Sequence, residues 1–220
     1  MKLFLTTLCI FFLLIGSSQA GTITTTKHNL SASGPGPIKA VSEQRVCIFC
    51  HTPHSSKPDT PLWNRNYDKV AAFYIPYSSS TLDASPGQPN GASKLCLSCH
   101  DGLLALGDVI SESLPITMQG GVTTMPTSSP GYIGEDLSGT HPISFVFDDA
   151  LATTNNSKGD SPLHFPSTMT DPDVKLDKNS MVQCTSCHDP HNNDKYVPGV
   201  VPPFWRKSSY DAVCLVCHDI

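Results

Sequence analysis

Eight of the nine cysteines in this 220-residue chain fall into four C-x-x-C pairs, and a histidine follows each pair at once. They are Cys47/Cys50/His51, Cys96/Cys99/His100, Cys184/Cys187/His188 and Cys214/Cys217/His218. Paired cysteines serve several chemistries. In an exported chain an even count suggests a disulfide framework. Two C-x-x-C pairs can build a tetrahedral zinc site. A single C-x-x-C can be a thioredoxin-like redox centre, which needs a βαβ pattern that this sequence does not offer. None of these needs a histidine beside every pair. With 9 histidines in 220 residues, one at any given position has a chance of about 1 in 25, and four by accident of around one in several hundred thousand.

Covalent haem attachment does explain the spacing. The two thiols add to the two vinyl groups of one porphyrin, and the next residue then lies under the ring, where its imidazole reaches the iron. The expectation is four haem c groups, attached through the eight cysteines, with iron held on one side by His51, His100, His188 and His218.

Each iron then wants a second ligand, and an internal repeat points to it. The first unit, about residues 26–110, reads His28-Asn-Leu-Ser31, Cys47-Ile-Phe-Cys-His-Thr-Pro-His54, Pro61-Leu-Trp-Asn64 with Tyr67-Asp68, and Cys96-Leu-Ser-Cys-His-Asp101. The second, about 139–220, reads His141-Pro-Ile-Ser144, Cys184-Thr-Ser-Cys-His-Asp-Pro-His191, Pro203-Phe-Trp-Arg206 with Tyr210-Asp211, and Cys214-Leu-Val-Cys-His-Asp219. His28, His54, His141 and His191 are the candidate distal ligands. His51 and His54 stand three residues apart, as do His188 and His191, so the chain separates each pair by about 10 Å at most. His54 and His191 are therefore expected to serve a neighbouring haem. His164 has no counterpart and reads as a surface histidine. Met118, Met125, Met169 and Met181 read as gap-filling side chains. Trp63 and Trp205 recur in both units and read as packing against haem faces. Asn29-Leu-Ser31 and Asn155-Asn-Ser157 fit a glycosylation pattern that is too short to weigh.

The elements that must place these groups are sparse. Residues 1–20, with Lys2, the apolar run Leu3 to Ile15 and a small-residue end at Ala20, have the layout of a secretory signal peptide, so the mature domain is expected over 21–220. Cys9 lies inside the apolar run, which argues against a lipid anchor, and the run is too short for a transmembrane segment of about 20 residues. Without the leader, 13 basic face 19 acidic side chains, a formal charge of −6. With 19 prolines and 15 glycines, and little sustained periodicity beyond strand-like Phe145-Val-Phe147, the fold class expected is a multihaem cytochrome c. It should be mostly irregular, with short helices around the attachment motifs and little β-structure. The insert Gly102–Ser180 is the least constrained part, with surface turns at Gly120-Gly121 and Thr127–Gly131.

The C-x-x-C-H-x-P-H runs, His28-Asn-Leu-Ser, Gly139-Thr-His-Pro-Ile-Ser-Phe and the four-haem count resemble the OmcE-type tetrahaem cytochromes, from about Thr26 to the last residue. The resemblance implies electron transfer, not enzymatic turnover, through a head-to-tail homopolymer: an extracellular filament at the cell surface, passing electrons to redox proteins or extracellular metal or electrode acceptors. It also implies that one iron per subunit takes its distal histidine from the next molecule. His28, on an N-terminal arm, is the expected donor. A periplasmic monomeric shuttle and a multihaem reductase are the alternatives. Two imidazoles per iron leave no open position, and haem potentials should lie below those of Met/His cytochromes. The acidic chain argues against a nucleic-acid partner.

Overall fold

The computed structural model describes residues 22–56, 62–66, 73–159 and 161–219. The leader over 1–20, Cys9, the mature start at Gly21, and Pro61, Tyr67 and Asp68 of the repeat lie outside the described residues. Among those described, helix is confined to four short stretches, α1 (Gly91–His100), α2 (Asp149–Lys158), α3 (Cys184–Cys187) and α4 (Tyr210–Cys214). Single 3₁₀ turns occur at Val46–Phe49, Gln119–Gly121 and Pro166–Thr168. The one sheet is a two-stranded antiparallel pair, β1 (Phe145–Val146) against β2 (Met181–Val182), in register Phe145↔Val182. The expected loop-rich architecture is the one found.

Local chemistry sets these elements. The attachment motifs lie on helices or helical turns: α1 ends in the second motif, α3 is the third, α4 runs into the fourth, and the 3₁₀ turn opens the first. Helix α2, inside the insert, was not expected, because its apolar pattern is weak and only Ala152 is buried. Its ends hold it instead. The Asp148 carboxylate accepts from Leu151 N–H at 2.8 Å, Lys158 at the last turn pairs with Asp83, and Gly159 at φ 77° closes the helix in a left-handed conformation.

No single core gathers the apolar side chains. Three small clusters lie instead beneath the motifs. Ile48, Phe49, Leu106, Val109, Met118 and Ala40 carry Cys50 and Cys99. Val174, Val201, Trp205 and Val213 carry Cys187, and Phe145, Phe147, Ala152 and Val182 carry Cys217. Met118 and Met169 pack in these clusters as gap-fillers. Meanwhile Arg65, Gln183, Asn64 and Asp101 are among the most deeply buried side chains, an unusual set for an interior built by protein alone.

The two halves share local geometry. His51 bridges Trp63 and His188 bridges Trp205, both antiparallel. Thr52 N–H donates to Leu62 O and Asp189 N–H to Phe204 O; Asn64 N–H donates to Cys50 O and Arg206 N–H to Cys187 O. Leu62 and Phe204 both take positive φ, 67° and 61°. Ser31 and Ser144, the matched serines after His28 and His141, are both buried.

Where the halves meet, α1 packs on α3 through polar bonds. Ser93 Oγ accepts from Cys184 N–H at 3.0 Å. The Gln183 carboxamide accepts from Ser93 N–H at 3.2 Å and donates to Asn90 Oδ1 at 2.9 Å and to Asp177 Oδ2 at 3.2 Å. Removing this buried amide leaves several groups unpaired, so Gln183→Ala should cost about 2–3 kcal/mol in denaturant melts of the purified protein. A loss below ~0.5 kcal/mol would mean that the junction does not depend on it.

Candidate haem sites

The positions of the histidines are the informative geometry. The His51 and His191 rings stack at 5.8 Å between centres with a 23° interplanar angle. His28 meets His100 edge-on at 6.0 Å, and His141 meets His218 edge-on at 6.3 Å. Two imidazoles bound on opposite sides of one first-row metal ion stand about 6 Å apart, since each metal–nitrogen bond is about 2.0–2.1 Å and each ring centre lies about 1 Å behind its nitrogen. In each pair, one member follows a C-x-x-C and the other is one of the distal candidates. Three sites thus have the spacing that an iron with two imidazoles requires.

His188 is the exception. Its ring abuts Trp205 at 5.0 Å, and no described histidine faces it at ligation spacing. His54 is exposed and likewise faces no imidazole among the described residues. His28, the expected donor to a neighbouring molecule, lies against its own chain's His100. The physical reason is its bed in the second half: the ring stacks on Phe204 at 4.1 Å and bonds the Pro190 carbonyl. His191, three residues from His188, lies against His51 of the distant first motif.

Ring nitrogens are oriented for ligation. His100 Nδ1 lies 2.6 Å from Gly131 O, His188 Nδ1 3.2 Å from Pro203 O, and His141 Nδ1 2.8 Å from Pro142 O. A carbonyl only accepts, so each Nδ1 carries the proton and each Nε2 keeps its lone pair for a metal. Burial lowers the pKa of His28 to about 4 and pushes His51, His188 and His218 down as well, which favours the neutral, ligating form. His51 Nδ1, Trp63 Nε1, Arg65 Nε and Asn66 Oδ1 are buried without hydrogen-bond partners. All four lie around the first motif, as expected if a further group with a polar edge completes that interior.

The cysteines do not suit the rival chemistries. All eight are free of disulfides. No cluster of three or more His, Cys, Asp or Glu fit to hold a metal occurs among the described residues, so the zinc reading has no site there. Burial pushes Cys50 and Cys187 up to about 12 and Cys217 to about 11, the opposite of an activated redox thiolate. Only Cys184 is lowered, to about 7, by a hydrogen bond with the Cys96 thiol, which is itself raised by that bond. The residues present fit haem c. Bound there, it would supply a one-electron iron(III)/iron(II) couple.

The motifs also form an ordered row. Cys50 and Cys99 share one apolar cluster, the Cys96 and Cys184 thiols touch, and Cys187 feels Cys217 and Cys214. The row runs first, second, third, fourth along the chain.

Trp63 and Trp205 lie edge-on to His51 and His188 at 5.7 and 5.0 Å, so they brace the attachment histidines directly. His164 donates its backbone N–H to Cys217 O and is exposed, facing no imidazole at ligation spacing. Asn29 is buried with its amide donating to Thr24 O at 2.8 Å, which leaves no room for a glycan. The insert contributes more than surface turns. Gly131 supplies the His100 acceptor, and a Cβ there would stand 3.2 Å from His100 Cε1. Nothing in the turn-like sequence around Gly131 signals that role.

In the purified haem-loaded protein, His28→Ala, His141→Ala and His191→Ala should each convert a different single haem from low to high spin in absorption and electron paramagnetic resonance. A variant that leaves every haem low-spin would remove its pair from the assignment.

Among the described residues no helix is long and apolar enough to cross a membrane. No curated protein matches the chain. Residues 178–220, which hold the third and fourth motifs, match the family model described as the doubled CXXCH motif, and with the geometry above this supports a multihaem c-type cytochrome.

Proposed function

We propose that this protein carries four haem c groups, one on each C-x-x-C-H motif, and serves as an electron carrier that is exported and polymerises head to tail into an extracellular filament. In this reading Cys47 and Cys50, Cys96 and Cys99, Cys184 and Cys187, and Cys214 and Cys217 anchor the four porphyrins. The iron ligands are His51 with His191, His100 with His28, His218 with His141, and His188 with a histidine from another molecule. The single observation that carries the filament is the pair left over, a half-buried His188 facing no imidazole among the described residues and an exposed His54.

The internal repeat says how they would meet. His191 trails the third motif by three residues and faces His51 of the preceding unit. His54 trails the first motif in the same way, so the unit preceding it is the second half of another subunit, whose corresponding histidine is His188. The contact between halves is thereby repeated between molecules without closing, which makes a filament and not a ring. Acidic charge on the chain suits a basic redox protein or a metal cation as electron acceptor.

A second reading rests on the same observation: an iron on His188 with an open position would be a reductase site.

The test is His54→Ala. Intact mass should show four haems in wild type and variant alike. Wild type should form uniform filaments with all haems low-spin, and the variant discrete particles with one high-spin haem. Filaments from His54→Ala would overturn the assignment. Discrete wild-type particles with one high-spin haem that responds to small ligands would favour the reductase, and discrete low-spin particles a periplasmic shuttle.

A further inference from the structure

Arg65 is wholly buried, yet no described carboxylate pairs with it. Among the described residues its guanidinium donates only to backbone carbonyls: Nη1 to Leu106 O at 2.9 Å, and Nη2 to Ser98 O at 3.1 Å and Ala105 O at 3.0 Å. Nε has no partner. Ser98 lies inside the second motif, between Cys96 and Cys99. The preceding residue, Asn64, ties the same segment to the first motif, through its N–H to Cys50 O at 2.9 Å and its carboxamide to Ile48 O at 2.6 Å. Arg65 thus holds a permanent positive charge between the first two motifs. Asp101, also buried, accepts from Tyr74 and Leu103 and does not contact it.

The matching place in the second half is built differently. Lys207, Arg65's counterpart, binds Asp171 at 2.6 Å and Asp173 at 3.2 Å. Arg206, in the place of neutral Asn64, lies 3.7 Å from Asp189. Every cation there faces a carboxylate.

We propose that Arg65 makes the two haem sites of the first half easier to reduce than those of the second, so that each subunit carries a potential step at its midpoint, downhill toward the first half. A buried positive charge that no described carboxylate pairs favours the added electron, whereas a cation held by two carboxylates presents a net negative group. Arg65 is a positioning residue, acting on the sites without ligating them.

The inference rests on haem being held by these motifs, and the two can fail separately: absence of haem from the purified protein would defeat the cofactor reading itself. In loaded protein, spectroelectrochemical titration of Arg65→Gln, which removes charge but keeps a donor, should lower two of the four components at least tenfold in their reduction equilibrium, about 59 mV for a one-electron couple. Arg65→Lys should keep them near wild type. The surface double variant Asp171→Asn/Asp173→Asn, which does not touch the buried segment, should raise components of the other pair and narrow the step. Unmoved potentials in loaded Arg65→Gln would overturn the proposal, as would an equal fall in Arg65→Lys or an unchanged step in the double variant.

Discussion

One imidazole facing another at about 6 Å is the constraint around which this chain is arranged. The three such pairs join His51 to His191, His28 to His100 and His141 to His218. Each joins residues far apart in sequence, and the first runs between halves. Much of the remaining chain exists to bring those rings into place. The Gly131 and Pro203 carbonyls set ring orientation, Trp63 and Trp205 support the attachment histidines from the edge, and the α1–α3 junction holds the halves together. A chain of this length would ordinarily build one apolar core. Here three small clusters suffice because each need only seat one or two motifs.

The polar interior follows from the same arrangement. Side chains such as Gln183, Asn64 and Arg65 are costly to bury unless each donor and acceptor is used. Gln183 spends its carboxamide on Ser93, Asn90 and Asp177, and Asn64 spends its on Ile48 and Ser111. Both lie beside a motif. The buried polar groups act as fasteners at the seams between sites, while the apolar clusters form cushions beneath them.

Much of this was legible in the residues. The C-x-x-C-H spacing marks the four motifs, a local pattern; the repeated Trp marks matched places in both halves but was read as packing against haem faces, and the bridges to His51 and His188 emerge only in the structure. Pairing of histidines was not legible beyond the expectation that His54 and His191 serve a neighbouring haem, since spacing limits reach without choosing a partner. His28 is the case in point: its place on a terminal arm suggested donation to another molecule, whereas in the structure its ring stacks on Phe204 and meets His100 edge-on. Arg65 was invisible for a different reason. An arginine in a loop of polar residues reads as solvated, and only three-dimensional packing turns Leu106, Ser98 and Ala105 into its carbonyl cage. Helix α2 had its signals in Asp148 and Gly159, but weak apolar periodicity hid them.

The His51–His191 contact also bears on how the molecule is made. A ribosome releases His51 about 140 residues before His191, so on the proposed ligand set a porphyrin joined early to Cys47 and Cys50 waits for its second imidazole until nearly the whole chain has emerged. His100, by contrast, has His28 ahead of it from the start. The site synthesised first is finished only after the third motif has been made, so maturation of the second half is in effect a checkpoint on the first.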